Sequence, residues 1–332
     1  MGSTRYNVVK KFSNSKIVNF LKDSPKTVVG LILISIVLVL TLGAKLFTPY
    51  GPMETFDGLW RAAPSAEHIL GTTQAGKDVW TQTLYGGRVS ILVGIFAGSI
   101  AVLLSLIVGI TAGYFGGIVD NIITTIINII MVIPQTVLLL IIASMVGRIS
   151  PLAIGIIIGI TSWPWGARIY RAQTMSLRNR EFIRSAETLG ESKIRTLFVE
   201  IMPNMLSMIT SGFIGTLIYA IMAQSFIEFI GFGDRMSVTW GQMLNNAQST
   251  GALSSGVWWE ILGPSVFLIL FGSGLTLVNF SIDELSNPKL RAQRIMRKYY
   301  KEKKAQEKLL RKQVVGITNN KGGIKWWEQY LK

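Results

Sequence analysis

Six blocks of about twenty apolar residues, set between polar stretches, constrain this chain more than any other feature. A helix of that length crosses the roughly 30 Å hydrocarbon core of a bilayer. Inside lipid, only helices and closed barrels satisfy every backbone N–H and C=O. The blocks fall at Val28–Phe47, Val89–Tyr114, Ile122–Val146, Pro151–Ile169, Met205–Phe232 and Ile261–Ile282. At 49% hydrophobic and 15% charged residues, the chain is too apolar to be an ordinary soluble domain. The expected fold class is therefore an all-α polytopic membrane protein with six transmembrane helices. No small-x-small cleavage site follows the first block, which is read as a retained anchor.

Charge sets the orientation. With the N-terminus inside, segments 1–26, 115–121, 168–203 and 289–332 carry 27 of the 33 Lys and Arg residues. That bias predicts an N-in, C-in topology in a cell membrane. A net charge of +15 could also signal nucleic acid, but sidedness accounts for it, and no nucleic-acid partner is expected. The chain has no Cys and a single His, His68, which excludes disulfides, thiolate metal sites and multi-histidine clusters or relays. It contains no Walker A sequence and no arguable Ser–His–Asp set. The chain alone is expected to hydrolyse nothing and to hold no metal or cofactor.

Within the spans, Gly94, Ala97, Gly98 and Ala101 recur at helical spacing and predict close helix packing. Pro134 predicts a mid-membrane kink. Glu228 lies at the outer edge of the fifth block, within reach of water or headgroups, and is a candidate pathway residue. In the polar stretch 48–88, Gly71 and Gly76 predict tight turns. Asp78 has Lys77, Arg88 or another chain as candidate partners, and His68 reads as an ordinary loop histidine.

A long polar segment between two strongly apolar blocks is Arg180–Asn204, REFIRSAETLGESKIRTLFVEIMPN. Glu181 precedes Ser185, and Glu191 precedes Arg195, at i,i+4 spacing that supports helix on both sides of Gly190. Gly190 predicts a bend or a close backbone contact, and Pro203 can open a new helix but not continue one. The reading is a short helix, a bend, a second short helix, then the fifth membrane helix.

That segment resembles the EAA loop of ABC import permeases, E-A-A-x-x-x-G, a nine-residue spacer, then I-x-L-P. Ser185 and Ala186 occupy the small positions, and Gly190 and Pro203 fall at the required separation; Arg184, Glu200 and Met202 are departures. Trp163, Ala167, Arg168, Arg171, Ala172 and Gln173 before the loop are similar to the peptide/nickel subfamily. So is His68–Gly94, which matches that subfamily's outer segment at Leu70, Gly71, Thr72, Gly76, Asp78, Tyr85, Gly86, Arg88, Ser90 and Gly94. Where the subfamily carries Arg and Asp on its third helix, this chain has Thr125 and Asn128, so the role of that charged pair is lost or moved.

The resemblance implies a type I ABC importer permease fold, of the C-type subunit in oligopeptide, dipeptide and nickel systems. It implies a function: import of peptides, with oligosaccharides or nickel chelates as the alternatives. It implies partners too: a second homologous permease, two ABC ATPase subunits that bind ATP and Mg, an external substrate-binding protein, and the lipid bilayer. It makes Glu181, Arg184, Ser185, Ala186, Glu187, Gly190 and Pro203 the ATPase-coupling residues. The expected organisation is an N-terminal segment 1–26, first helix and outer loop 27–87, a permease core 88–285 with the coupling loop at 175–204, and a basic tail 286–332. In that tail, Trp326 and Trp327 suggest a short interfacial segment. An ion channel, a secondary carrier and a membrane scaffold are the competing classes.

Overall fold

The computed structural model describes residues 24–286 and positions 296, 300, 303, 304, 306 and 307. The expected N-terminal segment up to residue 23 and the Trp-containing tail lie outside the described residues. The chain divides into two units, Met1–Ile282 and Asp283–Lys332. The described part of the second unit, the end of the last membrane helix and the six isolated positions, is helical.

In the first unit, α1 (Pro25–Leu42) starts on a proline, whose missing N–H is no loss in a first helical turn. The Arg88 guanidinium donates to Thr41 O and Leu42 O at 2.6 Å each, satisfying two carbonyls at the helix end. The central post is α2 (Val79–Phe115), 37 residues and about 56 Å long at 1.5 Å per residue. It begins at Val79 rather than at the expected Val89, so the outer loop ends at Asp78 and Arg88 lies within the helix. Thr81, Gln82, Thr83 and Arg88 hide the apolar signal of this first stretch. Val79 and Leu84 are nevertheless buried, and the hydroxyls are bonded: Thr83 Oγ1 donates to Val79 O at 2.8 Å, and Thr81 Oγ1 pairs with Thr48 Oγ1 at 2.5 Å.

The third apolar block forms α3 (Gly117–Val132) followed by α4 (Gln135–Val146), bent by 76°. Pro134 was expected to kink this span; instead the helix stops and restarts around it, since proline cannot donate the N–H that would carry the ladder through. Next come α5 (Pro151–Thr161) and α6 (Trp163–Arg178), which share one apolar span with an interruption at Ser162. Helix α7 (Glu181–Thr188) precedes two short turns and a π-helical stretch, Thr196–Ile201. Then follow α8 (Leu206–Ile227) and a π-helical end, Glu228–Phe232. The expected outer loop 234–260 contains α9 (Trp240–Ser249), and α10 (Trp259–Ser286) closes the bundle. Five spans are long and apolar enough to cross a bilayer, and the count is six where the bent α3–α4 pair is taken as one span. Among the described residues there is no strand, only isolated bridges at Thr72–Asp78 and Ile149–Gly233.

Close approach holds the bundle together, because lipid gives no hydrophobic push between helices and contact must do the work. A Cβ on Gly113 would lie 2.6 Å from Arg171 O, and one on Gly30 would lie 2.8 Å from Gly274 O. These contacts seat α6 on α2 and α1 on α10. On the outer side, Trp240 is fully buried against Phe267 and Phe271. Its Nε1 donates to Thr83 O at 2.9 Å, and Gly87 leaves room for its ring.

Candidate functional site

The polar stretch after α6 folds as helix, bend and short turns. Helix α7 closes on two bonds, Gly190 N to Glu187 O at 3.1 Å and Glu191 N to Ala186 O at 3.1 Å. This is the Schellman pattern, and it places Gly190 at φ +80°, where an L side chain is strained. Of the two expectations for Gly190, the bend is present and the backbone contact is not: no atom lies within 4 Å of a Cβ placed there. The second turn, Lys193–Arg195, is capped by Ser192 Oγ, which accepts from Arg195 N at 3.3 Å. Glu191 forms the i,i+4 ion pair with Arg195. The other spacing works differently: Ser185 Oγ donates to the Glu181 carbonyl at 2.9 Å rather than to its carboxylate.

A buried side chain and one hydrogen bond fix this loop to the bundle. Ile183 is fully buried in a cluster with Tyr114, Tyr170, Leu177, Ile201 and Met205, drawn from α2, α6 and the approach to α8. On the adjoining turn, Glu187 Oε1 accepts from Tyr114 OH at 2.9 Å. Glu181, Arg184, Ser185 and Pro203 are exposed, and Ala186 is half-buried. The bend itself presents apolar groups outward: Leu189 is 83% exposed and Ile194 70%. They flank the bend, Leu189 just before Gly190 and Ile194 four residues after it, in a segment with too many charges to lie in hydrocarbon. The motif reading did not single out Ile183, Leu189, Ile194 or Tyr114. The available signal was apolar residues in an otherwise charged loop.

The outer-loop residues come together as a brace at the head of α2. Asp78 caps the helix, its Oδ1 accepting from Thr81 N at 2.7 Å. Its Oδ2 lies 2.8 Å from Nδ1 of His68, and both side chains are buried. The partner is thus neither Lys77 nor Arg88, and His68 is not an ordinary loop residue. The turn Gly71–Asp78 folds back so that the two meet, and the His68 ring packs against Tyr50 and Phe56. Gly71 and Gly76 sit at φ +65° and +69° against Ala62 O and Phe56 O, where a side chain has neither the conformation nor the room. Arg88 binds the end of α1, as described above, and stacks on Tyr85 with its Cζ 4.9 Å from the ring centre.

Glu228 departs most from its expected setting. It was placed where water or headgroups could reach it, yet it is fully buried at the π-helical end of α8. Gln224 Nε2 donates to its Oε1 at 3.0 Å and Thr239 Oγ1 to its Oε2 at 2.6 Å. The chain itself supplies those donors because the loop after Phe232 folds back to start α9 at Thr239. The carboxylate thereby ties α8 to α9.

Residues 105–292 match the family described as binding-protein-dependent transport system inner membrane component. The chain is 30% identical over 275 residues to the dipeptide transport system permease protein DppC of Bacillus subtilis, covering 82% of this chain and 84% of that one. It is 31% identical over 277 residues to DppC of Alkalihalophilus pseudofirmus, covering 82% and 88%. With the oligopeptide transport system permease protein OppC of Bacillus subtilis, it shares 30% identity over 271 residues, covering 81% and 88%. Family match, apolar spans and helical bundle agree, and the chain belongs to the inner-membrane permease components of binding-protein-dependent ABC importers.

Proposed function

We propose that this chain carries peptides across the cell membrane as one permease of an ATP-driven importer. Its proposed partners are a second related permease, two ATPase subunits that bind ATP and Mg, and an external substrate-binding protein. The observation that carries the reading is the α7 loop: one buried anchor, Ile183, and an outward bend bearing Leu189 and Ile194. Apolar groups that project from a charged, water-facing loop suit a protein surface that covers them. The positive-inside bias places that surface in the cytoplasm, on the side where ATP is available.

On this reading Glu181, Arg184, Ser185, Ala186, Gly190 and Pro203 present or shape the docking surface, and Glu187 holds it to α2 through Tyr114. Closure of the ATPase pair moves the two permease loops together and opens the pathway outward; hydrolysis resets it. The chain's own residues perform no bond chemistry. Glu228 and the His68–Asp78 brace keep the outer ends of the helices in register. Peptide is the proposed substrate because relatives that match most of the chain are named for dipeptides and oligopeptides.

The test is gentle purification from native membranes, followed by uptake into proteoliposomes. A second permease and two P-loop ATPases should co-purify, and labelled di- to oligopeptides should accumulate with ATP hydrolysis. Uptake of oligosaccharides or nickel chelates instead of peptides would overturn the substrate. Recovery of the chain alone, with ATP-independent flux, would overturn the class in favour of a channel or carrier.

A further inference from the structure

Helix α6 leads into the α7 loop through Asn179 and Arg180, and three polar contacts join it and the residue before it, Ser162, to the broken third span. The Asp120 carboxylate in the first turn of α3 takes both Nε and Nη2 of Arg171, the Nη2 contact at 2.6 Å. Two turns further along α3, Asn128 Oδ1 accepts from Arg168 Nη2 at 2.8 Å. Across the break, at the first residue of α4, Gln135 Nε2 donates to Ser162 Oγ at 2.5 Å, where α5 gives way to α6. The rungs therefore start on one half of the third span and finish on the other. They also answer what replaces the charged pair absent from positions 125 and 128: Asn128 meets Arg168, and the acid–base pairing lies at Asp120 and Arg171.

This spacing is not needed to pack the bundle. The main seam of α6 lies against α2, where Gly109 and Gly113 admit Ala167 and Arg171 backbone. Helix α3 has few buried side chains, among them Asp120 and Ile127, and most of its apolar residues face away from this chain. The polar rungs are thus a principal tie of α3 to its neighbour. A bidentate Arg–carboxylate contact fixes orientation as well as distance, which a lone apolar contact does not. Helices that stop and restart can swing as units, and a rigid element with two arrangements is what carries movement between sites.

We propose that this ladder makes α3, α4 and α6 one moving body, so that displacement of the α7 loop reaches the break at Pro134. Asp120, Arg171, Asn128, Arg168, Gln135 and Ser162 are positioning residues for transport. The proposal rests on the importer reading but not on the identity of the substrate.

The chain has no native cysteine, so once the partner subunits' cysteines are replaced, a single introduced pair can be labelled alone. In the assembled complex, spin labels at Ile129→Cys and Met175→Cys report the distance between α3 and α6 without substrate. In the otherwise native chain that distance should change by less than about 2 Å between nucleotide-free and ATP-bound states, the scale of small helix shifts. With Arg171→Asp it should broaden or change on ATP binding. The swapped pair, Asp120→Arg with Arg171→Asp, should restore the narrow distribution.

Peptide uptake per ATP hydrolysed should fall roughly fivefold or more in Arg171→Asp, with hydrolysis retained, and recover in the swap. If charge reversal prevents assembly, Arg171→Lys and Gln135→Ala supply the same readouts. A change well beyond that scale in the native pair overturns the single moving body. So do assembled variants of either set with unaltered distances and unaltered uptake per ATP. Absence of peptide uptake by the unaltered complex would overturn the substrate reading alone, because the distance measurement does not use peptide.

Discussion

Gly190 separates two effects that usually travel together, backbone strain and surface blocking. It sits at φ +80° in a Schellman turn, and its missing side chain points into open space. Alanine there meets no atom of this chain, so its cost is conformational, about 1–2 kcal/mol for an L-residue in the left-handed region. That lowers the population of the native bend by roughly fivefold to thirtyfold. Asparagine tolerates the same backbone better and should lose less. Arginine has alanine's strain and adds a long charged chain beside Leu189 and Ile194. If a partner covers this bend, that charge is buried without a mate at about 3–5 kcal/mol, another factor of roughly one hundred or more.

The assay is peptide uptake by the reconstituted complex, with retention of the ATPase subunits measured in the same preparations. The expected order is Gly, Asn, Ala and then, far below, Arg, with ATPase retention lost only for Arg. Arginine and alanine variants of equal activity would refute the covered surface and leave Gly190 a backbone residue alone. Asparagine as damaging as arginine would refute the strain argument.

Three further perturbations test the supports. Asp78→Ala should lower the thermal midpoint of the purified complex more than Asp78→Asn does. Both lose the carboxylate beside His68, but Asn still caps Thr81 N, worth about 1 kcal/mol; equal losses would refute the cap. Trp240→Ala should destabilise by about 3–5 kcal/mol, and Trp240→Phe by about 1 kcal/mol through the lost bond to Thr83 O, read as thermal denaturation in detergent. Tyr114→Phe keeps the packing of the Ile183 cluster and removes the bond to Glu187, so uptake per ATP should fall while thermal stability changes little. A large stability loss with normal uptake per ATP would make that bond purely structural.

The membrane class and the apolar blocks were legible because hydrophobic blocks of this length have few alternatives in lipid. The helix–bend–helix order after α6 was legible from Gly190 and Pro203, whose backbone limits are local. The start of α2 was not. Residues 79–88 contain Thr81, Gln82, Thr83 and Arg88, so they read as loop; their partners on Thr48, α1 and the incoming Trp240 are distant in sequence. His68 and Glu228 were misplaced for a related reason. Each is buried beside a group brought by chain reversal, Asp78 in one case and Thr239 in the other, and periodicity carries no trace of such a return. Pro134 announced a disturbance, but whether a helix kinks or stops depends on its neighbours. Here Gln135 restarts a helix while bonded to Ser162, at the interruption of the adjacent span.

Acidic side chains that look interchangeable in the sequence share one kind of location in the fold. Asp78 caps the first turn of α2, and Asp120 lies in the first turn of α3. Glu187 is in the last turn of α7, and Glu228 opens the π-helical end of α8. Each sits where regular helix begins, ends or changes pitch, and each is bonded to a donor outside its own segment or, for Asp78, also to the segment it caps. Physically this is where a membrane bundle needs them, because a helix end leaves backbone groups without intrahelical partners and invites a neighbour to fix its direction. The same positions are the joints of the molecule. Regular stretches between them can move as units, while the carboxylates decide which units stay attached. A substitution at one of these four acids should therefore alter the relative motion of helices before it alters the content of helix, a distinction that spin-label distances and circular dichroism measured on the same variant would resolve.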